Sequence, residues 1–187
     1  MTVNVAVFGG SFNPPHVAHV MACALVLATN EIDEVLVVPT FQHPFAKALA
    51  PFDDRVAMCE LAVRGLRDVR VSRVEQELGG ESRTLRTLQF VAATHADWRL
   101  RLVIGADILA EASRWFGFEA IAALAPLIVL GRVGFHAPGA TAALLPEISS
   151  TSVRAAIAAG AWDEVSGLVP RQVLAYVRSK GLYGAPA

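Results

Sequence analysis

Apolar residues alternate along the start of the chain at Val3, Val5 and Val7, the period of a strand with two distinct faces. The period then lengthens, and the Ala-, Leu- and Val-rich run over 17–28 predicts a mostly buried helix. A short strand is expected over 34–38, stopped by Pro39. A loop follows over 40–51, carrying Phe41, His43 and Phe45 among its prolines. Phe52, Val56, Cys59, Val63 and Leu66 recur at spacings of four and three, the stripe of a core-facing helix. Asp53 and Asp54 suit its positively polarised first turn. Further strands are expected over 69–74, over 101–104 up to Gly105, and over 127–130. Further helices are expected over 84–94, 116–124, 150–159 and 170–180, the last stopped by Gly181.

Strands that alternate with helices, and that are short and continuously apolar, argue for a parallel sheet buried on both faces. The expected fold class is α/β: a doubly wound, Rossmann-like parallel sheet with small C-terminal helices, in one domain over residues 1–187. No repeat, low-complexity tract or linker interrupts it. Composition agrees, since 54% of the 187 residues are hydrophobic and 18% charged, enough for a substantial core and against global disorder.

A net charge of −1 supplies no broad field for nucleic acid or an anionic membrane, so any phosphate site must be local. The apolar runs are broken before the roughly 20 residues of a membrane span. The N-terminus enters the first strand without the basic segment of a signal peptide. Cys23 and Cys59 fall within apolar helical patterns, which favours reduced core thiols over a bridge or a metal site. These features suit a cytoplasmic enzyme and leave homo-oligomerisation open.

The chemistry concentrates where the first strand meets the first helix, in Phe8-Gly9-Gly10-Ser11-Phe12-Asn13-Pro14-Pro15-His16-Val17-Ala18-His19. A glycine turn between strand and helix exposes backbone N–H groups, and the helix dipole favours an anion there. His16 and His19, three apart near a helix start, should project from one face and can donate to phosphate oxygens. A tight turn whose histidines cap the helix is the simpler alternative. A second cluster, Ser149-Ser150-Thr151-Ser152-Val153-Arg154, places hydroxyls before a helix and an arginine one turn inside it. Ordinary N-capping accounts for one hydroxyl there but not for the arginine. Asp107 follows the expected strand end at Gly105, and Trp115 lies eight positions further on. A helix cap and a core aromatic explain these two equally well. Lys47 reads as loop surface, and Arg55 as one half of a salt bridge.

Taken together, these segments resemble the nucleotidyltransferase superfamily. In particular they resemble the nicotinate or nicotinamide mononucleotide adenylyltransferases, with their GGSFNPPH turn, GxD with a following tryptophan, and ISSTxxR. The resemblance spans nearly the whole chain, to the closing Leu182-Tyr183. It implies an enzyme of NAD biosynthesis that takes ATP and a pyridine mononucleotide and releases pyrophosphate. It implies catalytic roles for His16, His19, Lys47 and Arg154. ATP would meet Gly9, Gly10, Ser11, Phe12, His16, His19, Gly105, Asp107, Ser150, Thr151 and Arg154, and the mononucleotide Asn13, Lys47, Thr84, Trp115 and Arg132. Mg²⁺ is expected to be carried mainly by the nucleotide, because no carboxylate cluster resembles a metal cage.

The chain departs from the family pattern at four places. Ala18 stands for glycine, Val133 for the proline of an Arg-Pro-Gly element, and Arg83 and Arg86 for the tyrosine and aspartate of S-Y-T-x-D-T-L. These departures keep in view a nucleotide-binding sensor without catalysis. A phosphopantetheine adenylyltransferase or cytidylyltransferase is a separate competing reading, against which the Asp107 to Trp115 spacing and the Ile148 to Arg154 motif argue.

Overall fold

Val5 and Val7 point to one face of the sheet and Ala6 to the other, and the neighbouring strands repeat this division. The computed structural model describes residues 2–43, 48–109, 115–135, 137–142 and 144–185. Five parallel strands, β1 (Val3–Gly10), β2 (Glu34–Pro39), β3 (Val69–Val71), β4 (Trp98–Gly105) and β5 (Leu127–Arg132), run in the order β3-β2-β1-β4-β5. A two-residue β6 (Leu144–Leu145) continues the sheet beyond β5. Val7 lies opposite Leu36 on one side and Leu102 on the other. The strand order reverses between β1 and β4, so their carboxyl ends open the crevice in which ligands bind in such sheets.

The apolar pattern decides which helix covers which face. On one face, Val5, Val7, Leu36, Leu100, Leu102 and Ile104 pack under α4 (Thr84–Thr94) and α6 (Phe118–Leu124) through Leu88, Val91 and Ile121. On the other, Ala6, Val35, Val37, Val103 and Ile128 meet Ala22, Cys23 and Val26 of α1 (Val17–Thr29) and Cys59 and Val63 of α2 (Phe52–Val63). Both thiols are free and buried there, and burial pushes the Cys23 thiol up to about 12. A third core forms where α7 (Ser150–Ala158), α8 (Trp162–Val165) and α9 (Arg171–Lys180) close over the first two helices. Ala18, Met58, Val153, Ile157, Val173 and Val177 meet in it.

The α/β class, the parallel sheet and the C-terminal helices are those expected from the sequence, and the differences have local causes. The strand expected to reach residue 74 ends at Val71. The Ser72 hydroxyl accepts from the Val74 amide at 3.2 Å and turns the chain into a short α3 (Val74–Leu78). β4 begins at Trp98 rather than at residue 101, because Trp98 and Leu100 continue its alternation into the core. A short α5 (Ala106–Leu109) follows it directly. α6 starts only at Phe118, after Gly117 in the left-handed conformation (φ 72°). Four-residue helices such as α8 carry too little periodicity to be seen in a sequence.

Leu88 is fully buried under the sheet. Leu88→Ala keeps a good helix former in α4, so its effect isolates packing. It is expected to cost about 2–5 kcal/mol of stability, read as a lowered midpoint in urea unfolding. An unchanged midpoint would contradict α4 as the cover of this face.

Candidate active site

The segment from Ser11 to His16 leaves β1 and reaches α1 with little backbone pairing of its own, so its carbonyls are satisfied from elsewhere. Arg55 of α2 is almost wholly buried and donates from Nη1 to the Ser11 carbonyl at 3.0 Å and from Nε to the Ala50 carbonyl at 2.9 Å. Its guanidinium lies 5.5 Å from the Phe52 ring centroid, and burial pulls its pKa below the usual arginine range. Arg154 donates to the Asn13 carbonyl at 2.7 Å, and the Ser150 hydroxyl donates to the Pro14 carbonyl at 2.9 Å. The Asn13–Pro14 peptide bond is cis.

At the end of this segment His16 and His19 stack, ring centroids 3.8 Å apart and 29° from parallel. The His16 backbone N–H donates to His19 Nδ1 at 3.1 Å, which leaves Nε2 as the protonated nitrogen of a neutral His19. His16 Nδ1 is buried and has no hydrogen-bond partner among the described residues. Phe12 sits edge-on to His19 at 4.9 Å and Phe8 edge-on to Phe12 at 5.5 Å, an apolar floor beneath the pair. Burial, followed by the positive charge of Arg132, lowers the His16 pKa from 6.5 to about 4. Burial, then His16, then Arg132 hold His19 well below its ordinary value. Both imidazoles are therefore neutral at pH 7, whereas isolated histidines are partly charged there.

Across the crevice Asp107 accepts from Arg132 Nη1 at 2.9 Å, while its other oxygen, Oδ1, is buried without a partner among the described residues. Gly105 makes this approach possible, since a Cβ there would collide with Asp107 Oδ1 and lie 3.3 Å from Arg132 Cδ. The Arg132–Phe135 turn closes by Phe135 N donating to Arg132 O at 3.1 Å, with Gly134 at φ 81°. Val133 takes the position that proline favours in such turns, and the glycine supplies the positive φ, so the turn forms without proline. The N-terminus of α4 at Thr84 lacks a side-chain cap. Its Leu85 packs against Gly117, two residues beyond Trp115, and Leu85 and Trp115 border the same core.

The sequence-derived candidates thus fall into two groups. His16, His19, Asp107 and Arg132 converge at the ends of β1, β4 and β5, while Asn13, Ser150, Thr151 and Arg154 are joined through the segment before α1. Gly9 and Gly10 end β1. Lys47 lies outside the described residues. Ser149 provides the N-cap of α7, accepting from the Thr151 amide at 3.1 Å, which frees Ser150 for Pro14. Arg55 makes no ion pair among the described residues; its partners are carbonyls. Arg83 pairs with Glu81 at the surface and Arg86 binds the Gly79 and Leu78 carbonyls that end α3, so neither points across the crevice.

Glu75 is a site neighbour that sequence reasoning missed. Its carboxylate accepts from the Phe41 amide at 3.0 Å, the Ser82 hydroxyl, and the Thr87 hydroxyl at 3.1 Å, joining the segment after β2 to the start of α4. Its partners lie up to 34 residues away, and no local spacing marks it. No group of three His, Cys, Asp or Glu side chains among the described residues is arranged to hold a metal ion.

A doubly wound parallel sheet with a histidine pair and a helix N-terminus meeting at its switch point defines the nucleotidyltransferase class of enzymes. The chain belongs to the cytidylyltransferase-like family, which it matches over residues 7–156. It is 53% identical over 182 residues, 96% of each chain, to the "Probable nicotinate-nucleotide adenylyltransferase" of Anaeromyxobacter dehalogenans. It is 45% identical over 183 residues to the protein of the same name from Myxococcus xanthus, across 97% of this chain and 95% of that one. The solved structure of Plasmodium falciparum nicotinic acid mononucleotide adenylyltransferase complexed with NaAD has the same fold. Its TM-score is 0.85 at 19% identity, with 98% of both chains covered.

The depressed histidines carry a stability signature. Between pH 6.5 and about 4 the unfolded chain binds protons at His16 that the folded chain does not. Stability is therefore fully present above pH 6.5 and falls as pH drops through this window. Thermal midpoints measured from pH 7.5 to 4.5 should decline, and His16→Asn should flatten the decline. An equal slope in the variant would remove His16 as its source.

Proposed function

We propose that the chain transfers the adenylyl group of ATP to nicotinate mononucleotide, forming the dinucleotide of NAD biosynthesis, with nicotinamide mononucleotide as the alternative acceptor. An oxygen of the mononucleotide 5′-phosphate attacks the α-phosphorus of ATP. The bond from that phosphorus to the bridging oxygen breaks, and pyrophosphate leaves. The names of the relatives, matched over nearly their full length, support this reaction. The single structural observation that carries it is the neutral, stacked His16–His19 pair beside Arg132 at the end of β1.

Transfer at phosphorus asks for positioning and charge neutralisation more than covalent chemistry. His16 and His19 are assigned to the α-phosphate and the bridging oxygen. As neutral imidazoles they donate hydrogen bonds, and the arriving negative charge raises their pKa again. Arg154, with Ser150 and Thr151 at the N-terminus of α7, holds the β and γ phosphates, and Lys47 joins it on the leaving pyrophosphate. Gly9, Gly10, Ser11 and Phe12 line the ATP side. Asp107 Oδ1, an unpartnered acceptor, suits a ribose hydroxyl next to Gly105. Asn13, Trp115, Arg132 and the uncapped start of α4 at Thr84 are assigned to the mononucleotide, whose pyridine carboxylate suits a helix N-terminus.

Mg²⁺ is assigned to the phosphates of ATP, because Asp107 is already engaged by Arg132 and no metal-holding group of His, Cys, Asp or Glu stands among the described residues. Among the described residues no helix is long and apolar enough to cross a membrane, and a cytoplasmic location is part of this proposal.

A pyrophosphate-release assay with nicotinate mononucleotide, nicotinamide mononucleotide and phosphopantetheine tests the reading. Turnover of the first is expected. Turnover of phosphopantetheine alone would sink it, and ATP binding without pyrophosphate release for any acceptor would identify a sensor. His19→Ala should lower kcat by about 10²-fold or more while leaving the fold intact. Near-normal turnover would remove His19 from the mechanism.

A further inference from the structure

Asn13 is the residue on which distant parts of the chain converge. Its side chain is 2% exposed, and Oδ1 accepts two hydrogen bonds, from the Ala50 amide at 3.0 Å and from the Tyr183 hydroxyl at 2.9 Å. The backbone N–H of Ala50 can only donate, which fixes the orientation of the Asn13 amide, with Oδ1 toward these partners and Nδ2 away from them. One residue thus joins the turn before α2, the N-terminus of α7 through Arg154, and a residue 170 positions along the chain.

Tyr183 reaches this place at a conformational cost. It occupies the left-handed region, φ 61°, which a residue with a Cβ adopts rarely, inside a 3-10 turn over Leu182–Gly184. Its ring packs on the third core beside Ala18, Met58 and Ile157. Burial pushes its hydroxyl up against the opposing pull of Arg154 and Arg55, so it stays a neutral donor between two guanidiniums. Those two arginines hold the Asn13 and Ser11 carbonyls.

We propose that Tyr183 is a positioning residue for the reaction, its hydroxyl locking the Asn13 amide and with it the segment that presents His16, His19 and Arg154. The inference rests on the adenylyl-transfer reading. Tyr183 does not touch the reacting atoms. It supplies the second hydrogen bond to an oxygen that Ala50 alone would otherwise hold.

Tyr183→Phe keeps the ring and removes only the donor. We expect kcat to fall on the order of tenfold, with KM for ATP and for nicotinate mononucleotide changing less than about threefold. The thermal midpoint should move by a few degrees at most. The coupling is read in a double-mutant cycle. In an Asn13→Ala background, Tyr183→Phe should cost no further kcat. In Asn13→Asp, whose carboxylate still accepts from both partners, the cost should return. An unchanged kcat in Tyr183→Phe, a loss confined to KM, or losses that multiply in the Asn13→Ala background would each overturn the proposal. An inactive wild-type enzyme would instead sink the adenylyl-transfer reading. An active one indifferent to Tyr183 sinks only this inference.

Discussion

The segment from Ser11 to His16 does not pair its own backbone as a strand or a helix does. Every carbonyl that faces inward then needs a donor from somewhere else, because a buried, unpaired carbonyl costs about as much as a lost hydrogen bond. Arg55, Ser150 and Arg154 provide those donors to Ser11, Pro14 and Asn13, from α2 and α7. The C-terminal helices are thereby tied to this loop rather than standing as an appendage. They complete the third core over Ala18 and Met58 and bring α7 and Tyr183 to the same loop.

The electrostatics follow from this packing. Two arginines lie close to this loop: Arg55, whose hydrogen-bond partners are carbonyls, and Arg132, which is paired with Asp107. Two histidines are pressed together under the same conditions and stay neutral. With a net charge of −1, any phosphate site on this chain depends on local groups of this kind rather than on a broad basic field.

The departures from the family pattern now have physical accounts. The Ala18 methyl is 4% exposed and faces Met58, Val153 and Ile157, where it adds to the core. Val133 is accommodated because Gly134 carries the conformational demand of the turn. Arg83 and Arg86 are engaged locally, one with Glu81 and the other with the end of α3.

Periodicity and local chemistry made the α/β class, most helices and the glycine–histidine turn legible from the sequence, because each depends on residues a few positions apart. The strand expected from Val69 stops at Val71, and the short α3 after it left no signal in the sequence, where the Ser72 hydroxyl accepts from the Val74 amide. The site was legible as a set of motifs and not as a constellation. That Arg154 grips the Asn13 carbonyl, that Arg55 pairs with carbonyls instead of a carboxylate, and that Glu75 and Tyr183 bond to distant segments all depend on contacts spanning 34 to 170 residues. The chain by itself determined which groups were available and on which element each would sit. Only the tertiary structure decided which met, because burial and the satisfaction of the loop's backbone groups select among pairings that no spacing records.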